Sequence, residues 1–234
     1  MALPARTLLV FGAGPGIGDH IAAQFARTTP INHIVLLARN ASRLTDSDAP
    51  FVSSHNASVK VSTLGIDLAD LSSIPAVLKQ LDSLTAGEDV EVILFNAARI
   101  RAASPLDFDV AEIEEDLRTT TLSLYLVAQH YMPRFQALAS KASFNPALLV
   151  TNSHLPWDPV PQLLSLSLVK AAQKNMVDSL NRAYSASGVH VGLLHVEGVV
   201  APTNKVLNPK TIAERAVKFW EKGVAGGESI RIRE

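Results

Sequence analysis

The chain has 234 residues, of which 47% are hydrophobic and 18% charged, enough apolar material for a large buried core. A formal net charge of −1 gives no electrostatic reason to expect nucleic acid or an anionic membrane as a partner. Without any cysteine there is no disulfide framework, no thiolate nucleophile and no Cys-ligated metal site, and no metal centre of any kind is expected.

Short β-rich apolar runs alternate with helical stretches from one end to the other. Residues 7–11 (TLLVF) read as a first strand and 18–28 as an amphipathic helix. A second strand is predicted over 34–38 (IVLLA), then the start of a short helix at 42–46 and a polar, irregular insertion over 46–58. Residues 59–66 form a third strand closed by Asp67, and Asp70 is placed as N-cap of a helix through about Leu84, with Pro75 in an early turn. A fourth strand at 90–95 precedes a long helix over 110–132, expected to stop near Pro133. Strands at 147–151 and 189–196 flank a helix over 163–184; a last helix at 209–221 and a short strand at 229–232 complete the series. The N-terminal apolar run in MALPARTLLVFGAG is too short for a signal-peptide core, and no stretch approaches the roughly 20 apolar residues of a membrane span. The expectation is a soluble, cytoplasmic, single-domain α/β protein: a Rossmann-like, doubly wound parallel sheet of about seven strands with helices on both faces. Ligands of such sheets sit at the carboxyl ends of the strands.

That is where the first chemistry-bearing motif falls. Gly12, Gly14, Gly16 and Gly18 follow the first strand and open a helix. A tight turn, close approach of backbone to a pyrophosphate and close helix–strand packing each call for glycine here, and the helix N-terminus offers unpaired N–H groups to phosphate. Gly12, Gly16, Ile17 and Gly18 are therefore candidate cofactor-binding residues. Arg39 ends the second strand, where an NAD site favours an acidic side chain for the ribose 2′-hydroxyl. Arg39, with Asn40, Ser42 or Arg43, suits a 2′-phosphate instead, so NADP(H) is the expected cofactor.

The spacing Gly12-x-x-x-Gly16-x-Gly18 resembles the TGxxxGxG signature of the short-chain dehydrogenase/reductase family, with Phe11 in place of Thr. The resemblance extends over nearly the whole chain. It implies that Asp67, with Leu68 beside it, lies against the adenine, and that Asn96-Ala97-Ala98 takes the place of the family's NAG segment. In the family a catalytic YxxxK helix is preceded by a serine thirteen residues before the tyrosine. Lys170 and Ser153 occupy the lysine and serine positions here, but the tyrosine position is Leu166. None of Tyr125, Tyr131 and Tyr184 precedes a lysine by four, and the family's asparagine position in the long helix falls on Thr120.

Leucine has no proton to give a developing alkoxide, so ordinary ketone reduction should be severely impaired. The resemblance leaves Lys170 a place at the nicotinamide ribose, and Val199 a backbone contact with the carboxamide. The proline of the family's PG is absent at 196–200, and the lid shrinks to about residues 201–208, suiting a bulky substrate or closure by a partner subunit. The loop around His154, Trp157 and Asp158 should line the substrate pocket: His154 as proton donor or acceptor, Trp157 as a flat stacking surface, Asp158 as counter-charge to an iminium. The WDPVP segment is also similar to a proline-flanked, aspartate-bearing segment of tyrosine-less fungal imine reductases that control a Diels–Alder cyclisation. Three readings stay open. One is a reductase of an imine, iminium or activated C=C bond, acting on a nitrogen-containing or bulky small molecule, in natural-product biosynthesis. The others are a non-redox cyclase or isomerase on the same scaffold and a non-catalytic NADP-binding sensor. The resemblance also implies a homodimer or homotetramer assembled through the helices at 110–132 and 163–184.

Overall fold

A computed structural model describes residues 5–234; residues 1–4, the head of the N-terminal stretch, lie outside it. Seven parallel strands form one sheet in the order β3-β2-β1-β4-β5-β6-β7. They are β1 (Arg6–Phe11), β2 (His33–Ala38), β3 (Lys60–Gly65), β4 (Asp89–Phe95), β5 (Ala147–Asn152), β6 (His190–Val196) and β7 (Ser229–Ile232). The helices are α1 (Ile17–Thr28), α2 (41–55), α3 (Ile74–Leu84), α4 (110–139), α5 (Leu164–Tyr184) and α6 (Pro209–Glu221). The expected α/β class, strand number and parallel sense are all present.

Because successive side chains point to opposite faces, a strand covered on both sides must be apolar at every position. Along β1, Leu9 and Phe11 pack with Ile74 and Leu78 of α3, Leu124 and Phe135 of α4, and Val177 of α5. Leu8 and Val10 pack on the other face with Ile21 and Phe25 of α1, Val52 of α2, and Ala216 and Trp220 of α6. The order reverses direction at β1 and β4, which leaves a crevice beyond their carboxyl ends.

Three local expectations are corrected. Residues 46–58 are not irregular: 41–55 is helical throughout, widened by a π turn at Leu44–Asp48, and buries Leu44, Asp48 and Val52. Its polar sequence hid a helix with one narrow buried stripe. The long helix does not stop at Pro133 but runs to Ala139, the proline standing inside it, with a π turn at Arg118–Leu122. Packing of Tyr131, Met132 and Phe135 in the core offsets the hydrogen bond that proline cannot donate. Asp70 is not the N-cap of α3, whose cap position is Ser73. Its carboxylate instead accepts from the N–H and hydroxyl of Ser72, closing the turn before the helix.

Candidate cofactor cleft and catalytic segment

The glycine turn is held by contacts only glycine permits. Gly12 has φ +87°, and a Cβ there would lie 2.6 Å from the backbone nitrogen of Ala97. A Cβ on Gly18 would lie 2.9 Å from the Gly12 carbonyl. Asn96, at the end of β4, donates from Nδ2 to that same carbonyl at 3.0 Å, and accepts from Thr151 Oγ1 at 2.9 Å. Strands β1, β4 and β5 are thus tied together directly beneath the turn. A Cβ on Gly16 would meet nothing within 4 Å, so the space over the head of α1 is open, and no side chain caps that helix. An open, uncapped helix N-terminus behind three glycines fits the pyrophosphate of a dinucleotide.

A cleft of about 330 Å³ runs past this turn. Gly12, Arg39, Asn40, Leu68, Asn96 and Ala97 all line it, so six of the expected cofactor residues converge. Gly16, Ile17 and Gly18 sit beside it, at the head of α1. Arg39 is exposed at the strand end, while Asn40 caps α2 by accepting from the Arg43 N–H at 2.9 Å. Asp67 is exposed and accepts from the Ala69 N–H at 3.0 Å; its neighbours Ile66 and Leu68 face the cleft instead. Arg43 also lines the cleft, its guanidinium donating to the Ala13 carbonyl at 2.6 Å and to Asp48 at 2.9 Å. Asp48 abuts Asp19, which accepts from the Gly14 N–H at 2.7 Å. Burial, then the Asp48 charge, push the Asp19 carboxyl up to about 7.

The catalytic segment has a different character. Leu166 is buried with Leu155 and Val169, against Leu117, Val160 and Leu163. Ser153 Oγ accepts from the Leu155 N–H at 3.3 Å. Lys170 Nζ donates to the Thr151 carbonyl at 2.8 Å and to Gln173 Oε1 at 2.9 Å, and burial pushes its ammonium down to about 7. Lys170 does not line the cleft. Thr120 donates its hydroxyl to the Asp116 carbonyl at 2.6 Å. Trp157 lies edge-on to His195 at 4.8 Å, with the Arg231 guanidinium 4.9 Å over its ring. Asp158 and Val199 are exposed, and His154 Nδ1 is buried with no hydrogen-bond partner among the described residues. None of Ser153, His154, Trp157, Asp158 and Val199 lines the cleft.

Several lining or supporting residues escaped the sequence reading, Ala13, Ala38 and Ile66 among them. Arg99 and Thr119 line the cleft's β4 side, where Arg99 pairs with Glu115 at 2.8 Å and Asp116 at 3.2 Å. Gln173 stands one helical turn after Lys170, a spacing that places two side chains together.

Residues 6–211 match the family model described as short chain dehydrogenase. The chain is 27% identical over 134 residues to the NADP-dependent 3-hydroxy acid dehydrogenase of Schizosaccharomyces pombe, a match covering 57% of this chain and only half of that enzyme's length. It is 26% identical over 193 residues to the short chain dehydrogenase/reductase dmxR12 of Cryptosporiopsis sp., covering 77% of this chain and 72% of that protein. Among solved structures, a metagenomic short-chain oxidoreductase in complex with NADP superposes with a TM-score of 0.82 at 19% identity, covering 99% of both chains. A short-chain dehydrogenase from Sphingobium yanoikuyae in complex with NADPH gives 0.79 at 22% identity, over 98% of this chain and 87% of that one. With its glycine turn, parallel sheet and matching sequence from β1 into α6, the chain belongs to the short-chain dehydrogenase family of NAD(P)-dependent oxidoreductases.

Proposed function

We propose that the protein is an NADP(H)-dependent reductase of imine, iminium or activated C=C bonds, acting without a tyrosine proton donor. The observation that carries this reading is Leu166, packed among Leu155, Leu163 and Val169 where the family's resemblance calls for the donor. The cofactor's part is to supply a hydride. Reduction of an iminium then needs no proton at the reacting centre, because the nitrogen already carries what the amine requires. With an enone, hydride addition at the β-carbon leaves an enolate that solvent can protonate. Arg39, Asn40 and Arg43 would hold the 2′-phosphate, the turn Gly12–Gly18 and the head of α1 the pyrophosphate, and Ile66 and Leu68 the adenine. Asp158, exposed in its loop, would offset an iminium charge, and Ser153 would hydrogen-bond the substrate.

The same reading extends to assembly. Leu122 and Tyr125 on α4 and Leu168 on α5 are large apolar side chains left 40–53% exposed, which supports a homo-oligomer packed through these helices. Light scattering would give a dimer or tetramer mass if this holds and a monomer mass if it does not.

A second reading, NADP(H) binding without turnover, is favoured by Lys170, whose ammonium is engaged inside the protein. NADPH oxidation measured against ketones, cyclic imines and enones separates the two. Turnover of imines or enones but not ketones supports the reductase. Tight NADPH binding with none of the three classes turned over supports the sensor.

A further inference from the structure

Behind Leu166 lies a sealed polar network that the proposed chemistry does not use. Lys170 is 6% exposed and Gln173 is fully buried. An ammonium carries three protons and no acceptor; two of these go to Thr151 O and Gln173 Oε1. The far end of the same carboxamide, Gln173 Nε2, donates to the Thr120 carbonyl at 2.9 Å, inside the π turn of α4. Asn152 Nδ2 completes the ring, donating to the Lys170 carbonyl at 3.0 Å and to Gln173 Oε1 at 3.4 Å. A carboxamide meets both demands of this place: it accepts from the lysine at one end and donates to a carbonyl at the other. Methionine would leave both partners unmet in a sealed site.

We propose that Gln173 is a positioning residue: its carboxamide holds the Lys170 ammonium away from the cofactor cleft and makes the lysine a strut beneath the glycine turn. The strut is continuous. Lys170 Nζ bonds the Thr151 carbonyl, Thr151 Oγ1 bonds Asn96 Oδ1, and Asn96 Nδ2 bonds the Gly12 carbonyl. This inference rests on the cleft being the dinucleotide site, as proposed above. It also predicts that Leu166→Tyr will not by itself rebuild the family's proton-donating pair, because the lysine that must lower the tyrosine's pKa is already bound to Thr151 and Gln173.

The test is an NMR titration of the Lys170 ammonium in ¹⁵N-lysine-labelled full-length protein, with and without NADPH. In the unaltered protein the midpoint should lie well below the ordinary lysine value and move by less than about half a unit when NADPH saturates. In Gln173→Met the ammonium should turn toward the open cleft, raising the ligand-free midpoint by two units or more. Gln173→Asn, one methylene too short to span both partners, gives the same test if the methionine variant does not fold. A variant midpoint equal to or below that of the unaltered protein would overturn the proposal, as would a full-unit response to NADPH with Gln173 in place. A second arm compares ketone-dependent NADPH oxidation by Leu166→Tyr and by Leu166→Tyr/Gln173→Asn. The double variant should exceed the single at least tenfold, and equal rates, zero included, count against the idea. Failure of NADPH to bind at all would sink the reductase reading and leave the ligand-free midpoints to decide the role of Gln173.

Discussion

The two halves of the crevice have been treated differently by this sequence. On the side of β1, β2 and β4, the glycine turn, the arginines at 39 and 43 and the apolar flanks Ile66 and Leu68 form an open cleft with cations facing it. On the side of β5 and α5, Leu166 packs into an apolar cluster and the Lys170 ammonium bonds Thr151 and Gln173. Cofactor binding and proton delivery are separable demands on this fold, and in the proposed reading only the first is met by the side chains present. The two halves still meet at Asn96, which touches the Gly12 carbonyl on one side and Thr151 on the other.

The largest expected effect tests the first half. Gly12→Val combines a left-handed φ with a Cβ 2.6 Å from the Ala97 nitrogen. It should cost about 3 kcal/mol or more of stability and abolish NADPH binding, read by urea unfolding and fluorescence titration. Leu166→Ala probes the other half: truncating a leucine that is 7% exposed should cost about 2–4 kcal/mol while leaving NADPH affinity within twofold. A large loss of affinity in that variant would break the separation of the two halves. Arg39→Ala should weaken NADPH about 10- to 100-fold, the loss of a charge-assisted phosphate contact, and leave NADH affinity unchanged. Equal losses for both nucleotides would move the 2′-phosphate away from β2.

A smaller effect sharpens the cofactor side through pH. Asp19 is held at about 7, above the usual carboxylate value near 3.9, by burial and then by Asp48. The unfolded chain therefore releases this proton first. The contribution to stability is fully present below about pH 4 and is lost as pH rises toward 7. Asp19→Asn keeps an acceptor for the Gly14 N–H and gains a donor toward Asp48, so it should become progressively more stable than the unaltered protein between those limits. A difference independent of pH in a urea series would show that Asp19 is ionised throughout.

How much of this was legible in the sequence depended on whether a signal was local. The strands read cleanly because burial on both faces forces continuous apolar runs, as in LLVF and VILF. The glycine turn read cleanly because its spacing is its geometry. The helix over 41–55 did not, since only Leu44, Asp48 and Val52 are buried, and with an acidic residue in the middle of that i, i+4, i+8 stripe only two apolar positions mark the helical face. Pro133 misled for the opposite reason: tertiary packing overrode a strong local breaker. Ser153, Leu166 and Lys170 were assigned their positions by the family resemblance, which says nothing of the direction of the lysine's ammonium. That direction is set by Gln173, Thr151 and the Thr120 carbonyl, which come from three different elements. Trp157 was expected as a flat stacking surface for a ligand, and nothing in the sequence signalled that the Arg231 guanidinium, from distant β7, lies over its ring.

The central claim is that the cofactor half works while the tyrosine's proton delivery is gone. Steady-state NADPH oxidation by the unaltered protein, run in parallel with a ketone, a cyclic imine and an enone after NADPH binding has been established by titration, tests it most directly. The account predicts saturable NADPH binding, turnover with the imine or the enone, and ketone rates at background. Ketone reduction at rates ordinary for this family would contradict it, because it would require a proton donor that Leu166 cannot be.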